Sequence, residues 1–493
     1  MKPCVFNWRE DKLRTTVVVF WLVCVFASFF GGSITFFYLP GIGAASLFRI
    51  TLPITALLYL VWAIREKYNP WKHASYLLRI CYVFCISLIV YGGLSLFRAM
   101  DFEFTFRRWA NLCLELCFFF LALELGKDRN VFRYTIWSAF PAAVFQMITG
   151  IVDTFSGGVF YTACDVYSEW EGCDVPHKMS FFGKTCHWAT GTVGNPNDYS
   201  MMLLFALALF LLYWIWRRHE EKCDWIPAAL IVPVYFLICT GDARLCIVAF
   251  FVLLTGFVLY ALTLEKGKRW ILIVTILFFG FMKFGCAYQN LVSTTDESAL
   301  HAVESIFVSA EAASIEENQE IPLSEAPSLK DRFFTVDEET GEYSMDQTGS
   351  EGVRLYLLLH AFDCIWQSKG LGVGLGNTEQ LARVSETNLS GTWNIHCFLA
   401  RMAADFGIFF LIPLLLIVFE LLKMSIQGMI QGFKEKKASD AMMWVLYLSV
   451  LITYPIASTA PSDAQDALVM WLFLAGIVLF PMYMQKKGDH GVN

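Results

Sequence analysis

The chain has 493 residues, 57% of them hydrophobic and 16% charged, with a formal net charge of −7 and a mean hydropathy of +0.53. Those values exclude a soluble globular domain and indicate a polytopic membrane protein. The acid excess is local, about fifteen carboxylates in residues 291–351 against Lys330 and Arg332, and a surface of that sign is a poor partner for nucleic acid.

About twelve apolar segments reach bilayer-spanning length. They cover residues 15–30, 46–64, 76–97, 109–125, 134–151, 199–216, 225–240, 245–264, 270–286, 398–422, 442–456 and 468–484. The first follows a basic start but precedes no small-residue cleavage site, and reads as a retained helix. With the N-terminus in the cytoplasm, about 22 Lys and Arg fall in the inner tails and loops against about six in the shorter outer loops, which fixes the orientation and puts both termini inside. The expected organisation is all-α. Helices 1–9 occupy residues 1–288, and a large extracytoplasmic loop lies between helices 9 and 10 at 289–395. Helices 10–12 occupy 396–493. Within the loop, residues 291–351 form the acidic insertion, a solvated stretch, and 352–368 an amphipathic helix at the outer interface.

In chain order, the first outer loop, GGSITFFYLPGIGAAS, holds no Asp or Glu. Arg49, Arg98, Arg107 and Arg108 read as interfacial anchors. Glu115, two turns into the fourth span, is either functional or paired with a nearby arginine. Most of the fifteen cysteines lie in apolar segments and act as small hydrophobes. Cys164, Cys173 and Cys186 lie in an outer loop and can oxidise there, with Cys164–Cys173 as the expected pair. No Cys/His spacing makes a zinc site. TVGNPNDYS opens the sixth span, with Asn197 or Asp198 as N-cap. This asparagine-rich start serves either as a cap alone or as a hold on a sugar or reactive loop. CTGDARL is a very short outer turn that sets Arg244 on a tight corner, where a guanidinium can grip phosphate oxygens. Arg354 begins the interfacial helix, and His360 reads as an ordinary interfacial histidine. GLGVGLG follows a helix rather than a strand, which excludes a dinucleotide loop.

His396 opens the tenth span. On a continuous helix from His396 to Gly407 the two would share a face with Ala400 and Ala403, Arg401 would pair with Asp405, and Asp405 would point away from the histidine. An imidazole at the membrane boundary can take a proton near neutral pH. One histidine with several arginines at the same depth suits deprotonation of a hydroxyl that attacks a carbon bearing a phosphate or pyrophosphate leaving group.

GNPND before span six, TGDARL before span eight, Arg354 ahead of GLGVGLGN, and His396 with a glycine eleven residues on together resemble the O-antigen ligase/polymerase family, over residues 193–413. The resemblance implies a GT-C-like membrane glycosyltransferase in the bacterial cytoplasmic membrane. Such an enzyme moves a glycan from undecaprenyl pyrophosphate to a glycan or lipid-core acceptor on the outer face. It implies His396 as the base, Arg244 and Arg354 on the pyrophosphate, and Asn197 in support, with no cofactor. Cys397, Ala243 and Val248 depart from the family's usual Asn, Ser and Leu, which bears on subfamily rather than reaction. Metal-dependent oligosaccharyltransferases generally carry an acidic ligand in the first outer loop, which this chain lacks, so no metal is expected. The competing reading is a transporter or flippase of lipid-linked oligosaccharide. Such proteins tend to have repeated halves and polar residues at the midplane, whereas here the polar residues cluster at the outer edge.

Overall fold

The computed structural model describes residues 11–30, 35–39, 43–156, 179–181, 184–186, 188–193, 195–218, 230–241, 243–263, 335–336, 343–344, 349–384, 394–459 and 467–485. The helices in order are α1 (Lys12–Ser28), α2 (Leu47–Arg65), α3 (Tyr76–Ser95, extended by a 3-10 turn Leu96–Arg98), α4 (Phe102–Gly126) and α5 (Arg129–Ser156). Then come α6 (Pro196–Arg218), α7 (Ile231–Thr240), α8 (Arg244–Ala261), α9 (Gly349–Gln367), α10 (Asn377–Val384), α11 (Phe398–Phe406), α12 (Ile408–Lys434), α13 (Ala438–Ala457) and α14 (Leu468–Gln485). The strands among the described residues form three short antiparallel hairpins, Thr35–Leu39 with Gly43–Ser46, Met179–Phe181 with Lys184–Cys186, and Thr335–Val336 with Tyr343–Ser344.

This is the fold of a polytopic membrane protein. Eight of these helices are long and apolar enough to cross a bilayer, and α7 and the Leu468–Met484 stretch of α14 are shorter apolar helices. The expected count of twelve is met in part. The ninth expected span (270–286), Cys164, Cys173 and most of the acidic insertion lie outside the described residues. Of the seventh span, Ile231–Thr240 is a helix, and residues 225–229 lie outside the described residues.

Helix starts follow local capping chemistry. Asp11, Ser46, Ser75 and Asp101 each accept the backbone N–H three residues on, at 3.0, 3.3, 3.4 and 3.0 Å. α6 is the central pillar, buried throughout its membrane-spanning window, with Phe205 stacked on Phe473 of α14 at 4.4 Å. Its all-round apolar sequence suits a helix that meets protein on every side. α12 sits at the periphery, and Leu415, Phe419, Ile426 and Ile430 are exposed as a lipid-facing helix requires.

The end of the bundle holding Lys127, Asp128 and Arg14 is closed by a buried carboxylate. Glu124 accepts from the hydroxyls of Tyr59 (3.1 Å), Tyr68 (3.0 Å) and Tyr82, and from Lys127 Nζ at 2.5 Å. Arg14 pairs with Asp128 at 2.9 Å beside it. Replacing one member of such a knot strands the others in a low-dielectric interior. Glu124→Gln should lower unfolding stability in mixed micelles by about 3–5 kcal/mol, and a loss under ~1 kcal/mol would show that the tyrosines do not depend on its charge.

Candidate functional site at the histidine end

At the opposite end of the bundle, α11 and α12 meet at a break. The expected continuous span 398–422 is two helices, because Gly407 takes φ 55°, ψ −132° between them. That conformation favours glycine, and a Cβ there would drive into Gly370 O. Two backbones therefore cross in direct contact, and Ile408 N–H donates to Gly370 O at 3.0 Å. Gly372 (φ +86°) faces the same junction, where a Cβ would stand 2.5 Å from Asp405 O. Val373 and Gly374 donate their N–H groups to Ala404 O and Asp405 O at 2.9 and 3.0 Å. The glycine-rich loop is thus a backbone clasp on the end of α11, which explains its composition.

Asp405 completes the clasp. Its carboxylate accepts from Gly376 N (3.1 Å), Thr378 N (3.4 Å) and the Thr378 hydroxyl (2.5 Å), and so caps α10 from another element. Arg401 is a charged neighbour of this carboxylate. The two residues expected to pair are therefore close, and the hydrogen bonds that fix Asp405 come from Gly376 of the glycine loop and Thr378 of α10. Tyr91 OH donates to Leu371 O and Gly372 O at 2.8 and 3.0 Å. The clasp therefore lies about 10 Å down α3 from Arg98, at a depth where irregular backbone must be satisfied by protein.

His396 does not lie on the helix. α11 starts at Phe398 with Cys397 in an extended conformation as its N-cap, so the expected shared face with Ala400, Ala403 and Gly407 is corrected. His396 lies instead in a tight turn ahead of α11. Cys397 N–H donates to Ile395 O at 2.7 Å, with His396 at the apex. Phe398 N–H donates to Ser458 O at 3.4 Å, which ties the turn to the end of α13.

Arg244 reaches the same level by an independent route. Thr453 Oγ1 of α13 donates to Ala249 O of α8 at 3.3 Å, and a Cβ on Gly256 would strike Ser449 Oγ, so the two helices run antiparallel. Arg244 and Ser458 each lie five residues further toward this end, about 7.5 Å, and are level with one another. Arg244 is exposed at the first turn of α8, on the corner formed by Gly241 and the buried Ala243.

That corner rests on the first turn of α6. A Cβ on Gly241 would meet Ser200 Oγ at 2.8 Å and Pro196 O at 3.4 Å, which places Asn197 beside it. The N-cap, however, is Asn195 and not Asn197 or Asp198. Asn195 Oδ1 accepts from Asn197 N at 2.8 Å and Asp198 N at 3.3 Å. Proline at position 196 is the first helical residue, where its missing N–H is no loss, and this moves the cap one residue before it. The half-buried Asn197 is thereby released from capping. The preceding loop is pinned by buried Gln146, whose Nε2 donates to Phe29 O (2.8 Å) and Thr192 Oγ1 (2.6 Å), and whose carbonyl accepts Tyr199 OH at 2.6 Å.

Arg354 is half-buried near the start of α9. α9 and α11 run parallel, since both end at the Gly370–Gly407 crossing. At their other ends, Tyr356 and Leu357 share a buried apolar cluster with Ile395. Arg354 therefore lies within one turn of two members of the cluster that also holds Ile395, the neighbour of His396. His360 is structural, its Nε2 bonding Thr378 O at 3.1 Å and so holding α9 on α10.

Asn197, Arg244, Arg354 and His396 are thus gathered at one end of the bundle, each through a different pair of elements. The residues that hold them are Gln146 and Glu379, which sequence reasoning passed over, and Asp405, which it placed in a pair with Arg401. Each acts across long chain separations that no spacing displays. Arg108 is an anchor of a definite kind, paired with Glu379 at 3.0 Å. Among the described residues, no group of three or more His, Cys, Asp or Glu side chains is placed to hold a metal ion.

Gly407→Ala should lower the thermal unfolding stability of detergent-solubilised protein by about 1–3 kcal/mol for backbone strain alone, and by more once the clash with Gly370 is included. Gly370→Ala, whose Cβ would meet nothing within 4 Å, should cost less; equal losses would show that the crossing is not tight. No model of a known protein family matches the chain, and no curated protein matches it.

Proposed function

We propose that the protein is a membrane glycosyltransferase of the O-antigen ligase or polymerase type. In this reading it moves an oligo- or polysaccharide from undecaprenyl pyrophosphate to an acceptor hydroxyl at the outer face of a bacterial cytoplasmic membrane. The observation that supports it best is the gathering of His396, Arg244 and Arg354 at the end of the bundle opposite the Lys- and Arg-rich end. The positive-inside bias assigns the basic end to the cytoplasm, so the histidine end faces outward.

In this reading, an imidazole nitrogen of His396 removes the proton of the acceptor hydroxyl as the oxygen attacks the anomeric carbon. The bond from that carbon to the pyrophosphate oxygen breaks, and the electron pair leaves with undecaprenyl pyrophosphate. Arg244 and Arg354 stabilise charge growing on the departing oxygens, a task suited to guanidinium groups with several fixed donors. The proton on His396 passes to solvent and resets the base. Asn197, freed from capping, contributes a neutral amide beside the Arg244 corner for a sugar hydroxyl or a phosphate oxygen.

With purified enzyme in vesicles and lipid-linked donor on the outer side only, wild type should form transferred glycan, and His396→Ala should form none while inserting normally. Arg244→Ala and Arg354→Ala should each lower turnover by about 10²-fold or more. Donor crossing the bilayer without chemistry would replace this reading with transport.

A further inference from the structure

The turn that carries His396 is clamped on both sides, and one clamp is a charge. Downstream, Phe398 N–H is tied to Ser458 O at 3.4 Å and the Thr459 hydroxyl lies 4.0 Å from Cys397 Sγ. Upstream, the Asn394 amide lies between Arg108 and Glu379: its Oδ1 accepts from Arg108 Nη2 at 3.4 Å, and with the amide turned over its nitrogen donates to both Glu379 carboxylate oxygens at 3.0 and 3.2 Å. Glu379 is itself held by Arg108 of α4 at 3.0 Å and Arg383 of α10 at 3.5 Å, and its side chain is only 6% exposed. Arg108 and Arg383 both lie over the ring of Phe104, at 5.3 and 5.1 Å. Three chain segments therefore converge on one buried carboxylate: the outer end of α4, the helix after the glycine loop, and Asn394, two residues ahead of the histidine.

We infer that Glu379 is the positioning residue of the His396 turn. Its carboxylate, oriented by Arg108 and Arg383, reads the Asn394 amide and sets where the imidazole points. A buried, charge-assisted hydrogen bond suits this task, because its direction is fixed and the cost of leaving the carboxylate unsatisfied disfavours other placements of the turn. A hydrophobic contact at Ile395 alone would tolerate rotation of the turn. The inference rests on the glycosyl-transfer reading only for its effect on activity. The positioning itself is a statement about His396.

The test separates the two. In lipid nanodiscs, the rate of diethyl pyrocarbonate labelling at His396 is followed by mass spectrometry in wild type, Glu379→Gln, Glu379→Asp and Asn394→Ala. His73, exposed on the opposite side of the bundle, reports the global fold. The expected result is a change of threefold or more at His396 in Glu379→Gln and Asn394→Ala, a smaller change in Glu379→Asp, and none at His73. With lipid-linked donor, kcat should fall by about 10–10²-fold, the scale of a misplaced reacting group, and the donor KM should stay within about twofold, because pyrophosphate contacts are intact. Labelling unchanged at His396 in both Glu379→Gln and Asn394→Ala overturns the inference and leaves the function reading untouched. Altered labelling with a wild-type transfer rate upholds the positioning and removes His396 from the chemistry. Asn394→Ala keeps the test open if the Glu379 variants fail to fold, since it leaves the Arg108–Glu379 pair in place.

Discussion

At Gly407 two backbones touch with no side chain between them, and the geometry of the histidine end depends on that contact. The crossing fixes the end of α11 against the loop that follows α9, so the two helices share one origin and run side by side away from it. Everything at their other ends is placed by counting residues from the crossing. Arg354 rides on α9 and His396 precedes α11, and neither helix can slide without opening the clasp. A clasp made of N–H to C=O bonds is rigid for the same reason that a sheet is. Each donor has one acceptor at one distance, and at this depth no water competes for it.

Buried carboxylates recur where the fold must hold segments that are distant in sequence. Glu124 closes the basic end with three tyrosine hydroxyls and a lysine, Asp405 closes the glycine loop with two amides and a hydroxyl, and Glu379 joins two arginines to Asn394, two residues before His396. A carboxylate can accept from about four directions at once, so one such group fixes several elements where an apolar contact would fix a distance without a direction. Apolar burial supplies little preference between helices that could otherwise face lipid. These polar knots supply the specificity that the hydrophobic effect supplies in a soluble core.

The helices were legible in the sequence because a bilayer leaves the backbone few options. A long apolar run must satisfy its own N–H and C=O groups and becomes a helix. The exceptions are instructive. The run after His396 has the composition of one span, yet its break is dictated by Gly370, Gly372 and Asp405 acting together, and no local pattern carries that information. The cap of α6 was legible in principle, since proline at the first helical position points to the residue before it, Asn195. The pairing of Arg108 with Glu379 was not, because it joins segments on either side of most of the chain. Asn197, Arg244, Arg354 and His396 could be picked out by their chemistry, but their position along a span indicates only a depth, and lateral neighbours arise from helix packing.

The spacing from His396 to Gly407 acquires a different meaning in the fold. On an unbroken helix it would be a matter of angle, three turns that return to one face. With His396 in a turn ahead of the helix and Gly407 at its end, the spacing is a length. The nine residues of α11 rise about 13 Å and connect a crossing inside the membrane-spanning layer to a histidine at its edge. A deletion within α11 would draw the histidine inward by about 1.5 Å and rotate the helix by about 100° against α9 and α13, moving it away from both Arg244 and Arg354. If His396 is the proposed base, a fixed separation between it and Gly407 is what the site requires, because the glycine sets the depth from which the histidine is measured.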